Sequence, residues 1–202
     1  MAGKVAERKA KLRDDLIAAA EARIAASGIK QLRARDLAAD VGCAVGAIYN
    51  VFDDIDALIL AAGLRTLQSI DVVMTQAMEA MAGKPPVERM VAMAHTYFDF
   101  VDEHTHAWAG LFEHRLPADY ELPQWHVEGQ GMLFRHIEAP LADLLPDEPP
   151  RKLAMLARTL FSAVHGVVVM AREQRVAGVP RKVVKGQLDV LLRAFARGIL
   201  TD

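Results

Sequence analysis

The sequence predicts an all-α protein of about nine helices, in which an N-terminal helix-turn-helix unit of three helices precedes a larger helical region. Three observations predict this fold class. Apolar residues recur at helical spacing along most of the chain. Glycine- and proline-rich runs at 82–86, 146–150 and 178–180 separate the helical segments. Two short helical patterns joined by a glycine occupy 33–52.

Composition and charge limit the class of protein. The 202 residues, 52% of them hydrophobic, allow one or two domains with a buried core. No uninterrupted apolar run reaches the roughly 18 residues of a membrane span, and no signal peptide is apparent. Cys43 is the single cysteine, which favours a reducing, cytoplasmic location. Residues 1–52 carry nine Lys and Arg against six Asp and Glu, a balance suited to phosphate, whereas residues 53–202 carry fifteen against twenty.

The first helix is expected from about Ala10 to Ser27, because Leu12, Leu16 and Ile24 lie on one face. Residues 1–9 are polar and are expected to fray. The basic residues that lead into this helix have two interpretations, an arm that contacts DNA phosphates or a solvated tail. They are Lys4, Arg8, Lys9, Lys11 and Arg13.

The most informative stretch is Arg33–Phe52, RARDLAADVGCAVGAIYNVF. Its first helix, about 35–41, ends where Gly42 can adopt a positive φ. Its second helix, about 44–51, is short enough to lie in a DNA major groove. Small residues allow the two helices to cross closely. The pattern consists of Arg35, Leu37-Ala38, Gly42-Cys43-Ala44, Gly46-Ala47, Ile48-Tyr49, Phe52 and Leu58.

With these residues the chain resembles the DNA-binding domain of the TetR family of bacterial repressors, over roughly residues 10–60. The resemblance implies an N-terminal DNA-binding domain at 1–53 and a C-terminal ligand-binding and dimerisation domain at 54–202. Arg33 and Arg35 are placed for phosphate contacts at the start of their helix. Tyr49 is implied to reach the DNA backbone. The residues implied to face the groove are Ala44, Val45, Ala47 and Asn50.

Three departures from the family pattern predict weak or partly shape-driven readout of bases. Ala44 stands where a serine usually caps the recognition helix, and Val45 stands where a polar residue is frequent. Ile55 replaces a frequent lysine and follows two acids, Asp53 and Asp54, that cap the fourth helix but repel phosphate. Cys43 is interpreted as a small apolar turn residue rather than a redox sensor.

Four further helices are expected at about 55–81, 86–103, 105–114 and 124–145. Most of their methionines and aromatic residues are interpreted as core. The resemblance also implies a pocket among these helices for a small apolar or amphipathic effector. Its candidate lining residues are Met78, Met93, Tyr97, Trp108, Phe112, Trp125 and His136. No histidine or cysteine spacing predicts a metal site, and no cofactor is expected.

The last two helices are expected at about 151–176 and 181–200. Their apolar faces are broad, and in the TetR family such helices form a homodimer. The residues predicted for that interface are Leu160, Val164, Val168, Leu188, Leu192 and Phe195.

The sequence therefore predicts a ligand-responsive repressor that binds a pseudo-palindromic double-stranded DNA operator as a homodimer. The alternative is a helical homodimeric scaffold, or a small-molecule-binding protein, in which DNA recognition is weakened. No enzymatic motif is found, so an enzyme is not expected.

Overall fold

A computed structural model describes residues 2–172 and 178–200, and all regular structure within those ranges is helical. This confirms the all-α fold class. The α-helices of the described residues are α1 Ala2–Ser27, α2 Ala34–Val41, α3 Val45–Ile48, α4 Ile55–Ala80, α5 Pro86–Glu103, α6 Thr105–Glu113, α7 Gln124–Leu144, α8 Pro150–Arg172 and α9 Val184–Ile199. Short 3₁₀ helices precede α2 and α9, at Ile29–Gln31 and Arg181–Val183.

Three helices differ in length from their predictions, and one of them, α9, begins at Val184 because Arg181–Val183 form a 3₁₀ helix. α1 begins at Ala2 instead of Ala10, because alanine, lysine, glutamate and arginine dominate its first turns and favour a helix. α3 ends at Ile48, where a turn replaces the expected last helical turn. Its N-cap residue, Ala44, makes no side-chain capping hydrogen bond. The predicted C-terminus of α8 at Val176 lies outside the described residues.

The chain forms two compact units, Met1–Ser69 with His104–Gly129, and Ile70–Glu103 with Gln130–Asp202. The first unit is larger than the domain predicted at 1–53, because α6 and the start of α7 belong to it. A bond from the His106 Nδ1 to the Ala25 carbonyl oxygen, 3.1 Å long, joins α6 to α1. A Cβ added at Gly110 would lie 3.0 Å from Ile24 Cγ2, so the two helices are in close contact.

The core of the first unit lies between α1, α2, α3 and the start of α4. Leu16, Leu37 and Ile48 are fully buried in it, and Phe52 is almost so. At its surface, the Arg23 guanidinium donates to both carboxylate oxygens of Asp40, linking α1 to α2. This ion pair lowers the pKa of the Asp40 carboxyl, chiefly through the hydrogen bond.

In the second unit α5 packs against α9 and α8. His95 Nε2 lies 2.6 Å from Asp189 Oδ1, and Lys185 Nζ lies 2.7 Å from Asp99. Polar pairs therefore link α5 to α9, and both helices also bury apolar side chains, among them Met90, Val101 and Leu188.

The residues predicted for a dimer interface need correction. Five of them, Leu160, Val164, Val168, Leu188 and Leu192, are buried within the single chain. Phe195 is half-buried. The apolar stripes of α8 and α9 face the protein's own core, so these five side chains are inaccessible to a second copy.

Two of the described helices, α4 and α8, are long and apolar enough to cross a membrane by length and composition alone. Core helices of soluble proteins satisfy the same test. In α4, 50% of the most apolar 18-residue stretch is buried in the protein, whereas in α8 only 28% of the corresponding stretch is buried. α8 therefore retains apolar surface on the side away from its own core.

Candidate functional site

The turn between α2 and α3 fixes the geometry of the first candidate site. Gly42 adopts φ 71° and ψ 36°, a left-handed conformation that a glycine tolerates without a Cβ penalty. The Cys43 amide then donates to the Ala38 carbonyl at 2.9 Å, which closes the end of α2. The predicted role of Gly42 in ending this helix is confirmed.

Buried and exposed side chains alternate sharply after this turn. Ile48 and Phe52 anchor the segment in the core. The side chains of Val45 and Tyr49 are 41% and 52% exposed, and Ala44 and Asn50 are exposed beside them. Ala47 is half-buried. The local fold thus presents a short row of side chains, anchored from behind, on one outer surface.

An open cleft of about 950 Å³ is lined by the start of α1 and by two residues of this row, Ala47 and Asn50. Lys4, Arg8 and Lys11 line it from α1, and Ala47 and Asn50 line it from the α3 segment. The helical start of α1 makes this arrangement possible, since a frayed tail would not hold cations at fixed positions. Lys9, the half-buried Cys43 and the carboxylate of Asp15 also contribute to the lining.

The two predicted arginines lie outside this cleft. Arg35 is exposed on α2. Arg33 is exposed as well, but its Nη1 donates to the Lys30 and Leu32 carbonyls at 2.9 and 3.0 Å, which holds the side chain against its own backbone. Asp54 Oδ1 accepts a hydrogen bond of 2.6 Å from the Ala57 amide, as expected of an acid that caps α4.

A second candidate site is an apolar cavity of about 70 Å³ within the second compact unit. Three of the seven residues predicted for a ligand pocket line it, namely Met93, Tyr97 and His136. The other lining residues are Ile70, Met74, Met90, Ala94, Leu133, Ile137, Leu160, Phe161, Val164 and Leu192.

The remaining four candidates do not line this cavity. Met78 is half-buried elsewhere on α4. Trp108 is buried in the first unit with the Phe112 ring centroid 5.1 Å away, and Trp125 packs on the core of that same unit. Apolar spacing identifies the inner face of a helix, but the partner helices decide whether that face lines a cavity.

The polar groups of the cavity are held by neighbouring side chains. Tyr97 Oη lies 2.8 Å from His165 Nδ1, and burial lowers the pKa of the His165 ring. His136 Nε2 lies 2.7 Å from Asp71 Oδ1. Arg135 donates to both oxygens of the same carboxylate at 2.8 Å. The cavity wall thus carries two oriented polar side chains in an apolar lining.

Leu160, Val164 and Leu192 are the least expected members of this lining, since the sequence assigns them to a dimer interface. Their helical spacing is the same in both roles, so no signal in the sequence separates the two. Within the ranges that the structure describes, no cluster of three or more His, Cys, Asp or Glu residues could hold a metal ion.

A family model described as the tetracyclin repressor-like C-terminal domain matches residues 90–195, just over half of the chain. No curated protein matches the sequence.

Several solved structures share the fold. A protein of unknown function from Rhodococcus sp. RHA1 superposes with a TM-score of 0.70 at 24% identity, covering 93% of this chain and 94% of that one. A tetR-family transcriptional regulator from Streptomyces coelicolor gives a TM-score of 0.62 at 19% identity, covering 91% and 81%. RolR in complex with resorcinol gives 0.63 at 17% identity, covering 95% of each chain. The chain belongs to the TetR family of transcriptional regulators.

Proposed function

We propose that this regulator is a ligand-responsive repressor that binds a pseudo-palindromic operator as a homodimer in the cytoplasm. One observation carries the proposal: the exposed Asn50 lines one cleft with the cations Lys4, Arg8 and Lys11 of α1. Ala44, Val45 and Tyr49 are exposed on the same short segment as Asn50. Cations supply sequence-independent attraction to phosphates, and side chains in the groove supply discrimination between bases.

The chemistry of the row suggests how bases are read. Asn50 is its one side-chain amide, and an amide can pair with adenine in the major groove. Ala44 and Val45 offer methyl groups to thymine. Tyr49, Arg35 and the cations Lys4 and Arg8 are assigned to the DNA backbone. Specificity should therefore depend strongly on Asn50 and on the shape of the duplex.

A homodimer would supply two such surfaces for the two halves of an operator. The buried stripes of α8 and α9 are unavailable for it, so we assign the interface to their outer faces. These faces carry exposed apolar or small residues at helical spacing, which favours close helix packing. They are Met155, Ser162 and Met170 of α8 and Val190, Ala194 and Gly198 of α9.

The cavity is proposed as the effector site. RolR, which shares the fold, has been crystallised with resorcinol, a small molecule. α4 contributes Ile59 to the core of the first unit and Ile70 and Met74 to the cavity lining. A ligand that displaces these two side chains would favour one position of α4 over another, and would shift operator affinity by its preference between those states.

Selection of bound DNA from genomic fragments of the source organism tests the repressor role. At roughly physiological salt, we expect enrichment of a palindrome by the native protein, and weaker enrichment of the same palindrome by Asn50→Ala. Lys152→Ala is the matched control, because Lys152 is an exposed cation of α8, outside the proposed surface. Failure of the native protein to enrich any sequence over bulk DNA would support the scaffold alternative.

A further inference from the structure

We propose that Arg13 is a positioning residue for the reading segment, residues 44–52: it holds the end of this segment against α1 and is not itself a phosphate contact. The inference rests on the proposed function, since it concerns how the segment that carries Asn50 is kept in place. The sequence groups Arg13 with four other cations that lead into α1, and offers a phosphate contact or a solvated tail as their roles. The structure gives Arg13 a third role.

The five cations of this group fall into two sets. Four of them are among the described residues that line the open cleft with Asn50, whereas Arg13 is not one of those residues. Arg13 is half-buried, while Arg8 on the same helix is exposed. The guanidinium carbon of Arg13 lies over the Phe52 ring, 4.5 Å from the ring centroid. The negative face of an aromatic ring attracts a cation in this position, and more strongly where water is excluded.

A second contact of Arg13 reaches the backbone of the same segment. Its Nη1 donates a long hydrogen bond of 3.5 Å to the Val51 carbonyl oxygen. Arginine suits both contacts at once, because its planar guanidinium stacks on an aromatic face while its N–H groups donate at the edge of the plane. One side chain of α1 therefore holds Val51 and Phe52, the two residues that directly follow Asn50.

The reading segment needs such a restraint because it has little regular structure of its own. α3 is a single turn of four residues without a side-chain cap, too short to be stable by itself. The chain then continues as a turn, in which the Val51 and Phe52 amides both donate to the Ile48 carbonyl at 2.9 Å. Asn50 thus lies between Ile48, which is fully buried, and the pair that Arg13 holds. Loss of the Arg13 contacts should free one of the two ends that fix Asn50.

The DNA test uses the full-length protein, the selected operator and a scrambled duplex. Arg13→Ala should lose about tenfold in operator affinity, stay within about twofold on the scrambled duplex, and keep the native slope of log affinity against log salt. Arg8→Ala, the same substitution on the same helix, is the matched control and should weaken both duplexes alike and reduce the slope by about one. An equal loss on both duplexes with a reduced slope in Arg13→Ala would identify a phosphate contact and overturn the inference.

NMR relaxation tests the positioning without DNA. In Arg13→Ala the backbone order parameters of Asn50, Val51 and Phe52 should fall from about 0.85 towards about 0.6, the range of flexible backbone. The order parameter of Leu37, which is fully buried in α2, should stay at its native value. Unchanged values at all three residues would overturn the inference. The relaxation result stands even where the native protein shows no preference for an operator, an outcome that contradicts the proposed function alone.

A second variant keeps the test decisive if Arg13→Ala does not fold. Arg13→Leu removes the guanidinium but keeps apolar bulk where the stem of the arginine packs, and leucine favours a helix. It should lose about threefold or more of the preference for the operator and keep the native salt slope. Native preference for the operator in Arg13→Leu, or a slope reduced by about one, would overturn the inference.

Discussion

The candidate sites of the two compact units differ in construction: one is a row of exposed side chains close in sequence, and the other is a cavity lined by several helices. In the first unit the side chains proposed to read bases are exposed and close in sequence, from Ala44 to Asn50. In the second unit the cavity draws its lining from five helices, between Ile70 and Leu192. Residues of the DNA surface can thus change without loss of the core. Residues of the cavity wall belong to the core, so ligand choice and stability are coupled there.

The largest contrast between an effect on stability and an effect on DNA binding is expected at two adjacent residues, Ile48 and Tyr49. Ile48→Ala removes a fully buried side chain of the first core and should destabilise the protein by about 2–5 kcal/mol. Tyr49→Ala removes a side chain that is 52% exposed and should change stability by less than about 0.5 kcal/mol, while it weakens DNA binding. Denaturant unfolding and operator titration measure the two effects. A Tyr49→Ala protein with native operator affinity would remove Tyr49 from the DNA surface.

The next largest effect on stability is expected at Gly42, in the turn between α2 and α3. Gly42→Ala places a Cβ on a residue with φ 71° and should cost about 1–2 kcal/mol of stability. Gly46→Ala is the matched control, since Gly46 lies within α3 and a Cβ there meets no other atom within 4 Å. That change should be neutral or should stabilise by up to about 1 kcal/mol. Thermal unfolding of both variants tests whether the positive φ of Gly42 requires a glycine at this turn. Equal stabilities of the two variants would contradict that requirement.

The cations of α1 should contribute affinity without discrimination. Arg8→Ala should weaken binding to operator and to random duplex by a similar factor, and should reduce the slope of log affinity against log salt by about one. Arg151→Ala, which removes an exposed cation of α8, is the control. A loss restricted to the operator would instead indicate that Arg8 reads bases.

The smallest expected effect concerns pH and the second unit. Burial lowers the pKa of His165, so below the ordinary value of about 6.5 the unfolded chain binds a proton that the folded chain refuses. Stability should therefore fall as pH drops from about 6.5 towards the folded pKa, with a slope of at most about 1.4 kcal/mol per pH unit for this group. His165→Gln should flatten the slope in denaturant unfolding at several pH values. His126, whose pKa burial also lowers, gives a second contribution that this variant leaves intact.

The sequence predicts the first unit better than the second for a physical reason. The turn at Gly42 and the burial of Ile48 follow from local spacing, because the core that surrounds them is drawn from one continuous stretch of chain, from Leu16 to Ala62. The predicted fraying of residues 1–9 is wrong, because these residues are polar but favour a helix, and α1 extends to Ala2. The cavity depends on contacts between distant helices. The apolar stripe of Leu160 and Val164 is the same whether it covers a cavity, a core or a second copy.

The measurement that tests the central claim most directly is a competitive titration of the native protein and Asn50→Ala against the selected operator and a scrambled duplex. Fluorescence anisotropy at roughly physiological salt is suitable. We expect the native protein to prefer the operator by at least about 1,000-fold, and Asn50→Ala to lose roughly tenfold or more of that preference while binding the scrambled duplex normally. Equal affinity of the native protein for both duplexes would contradict the claim that this surface reads an operator.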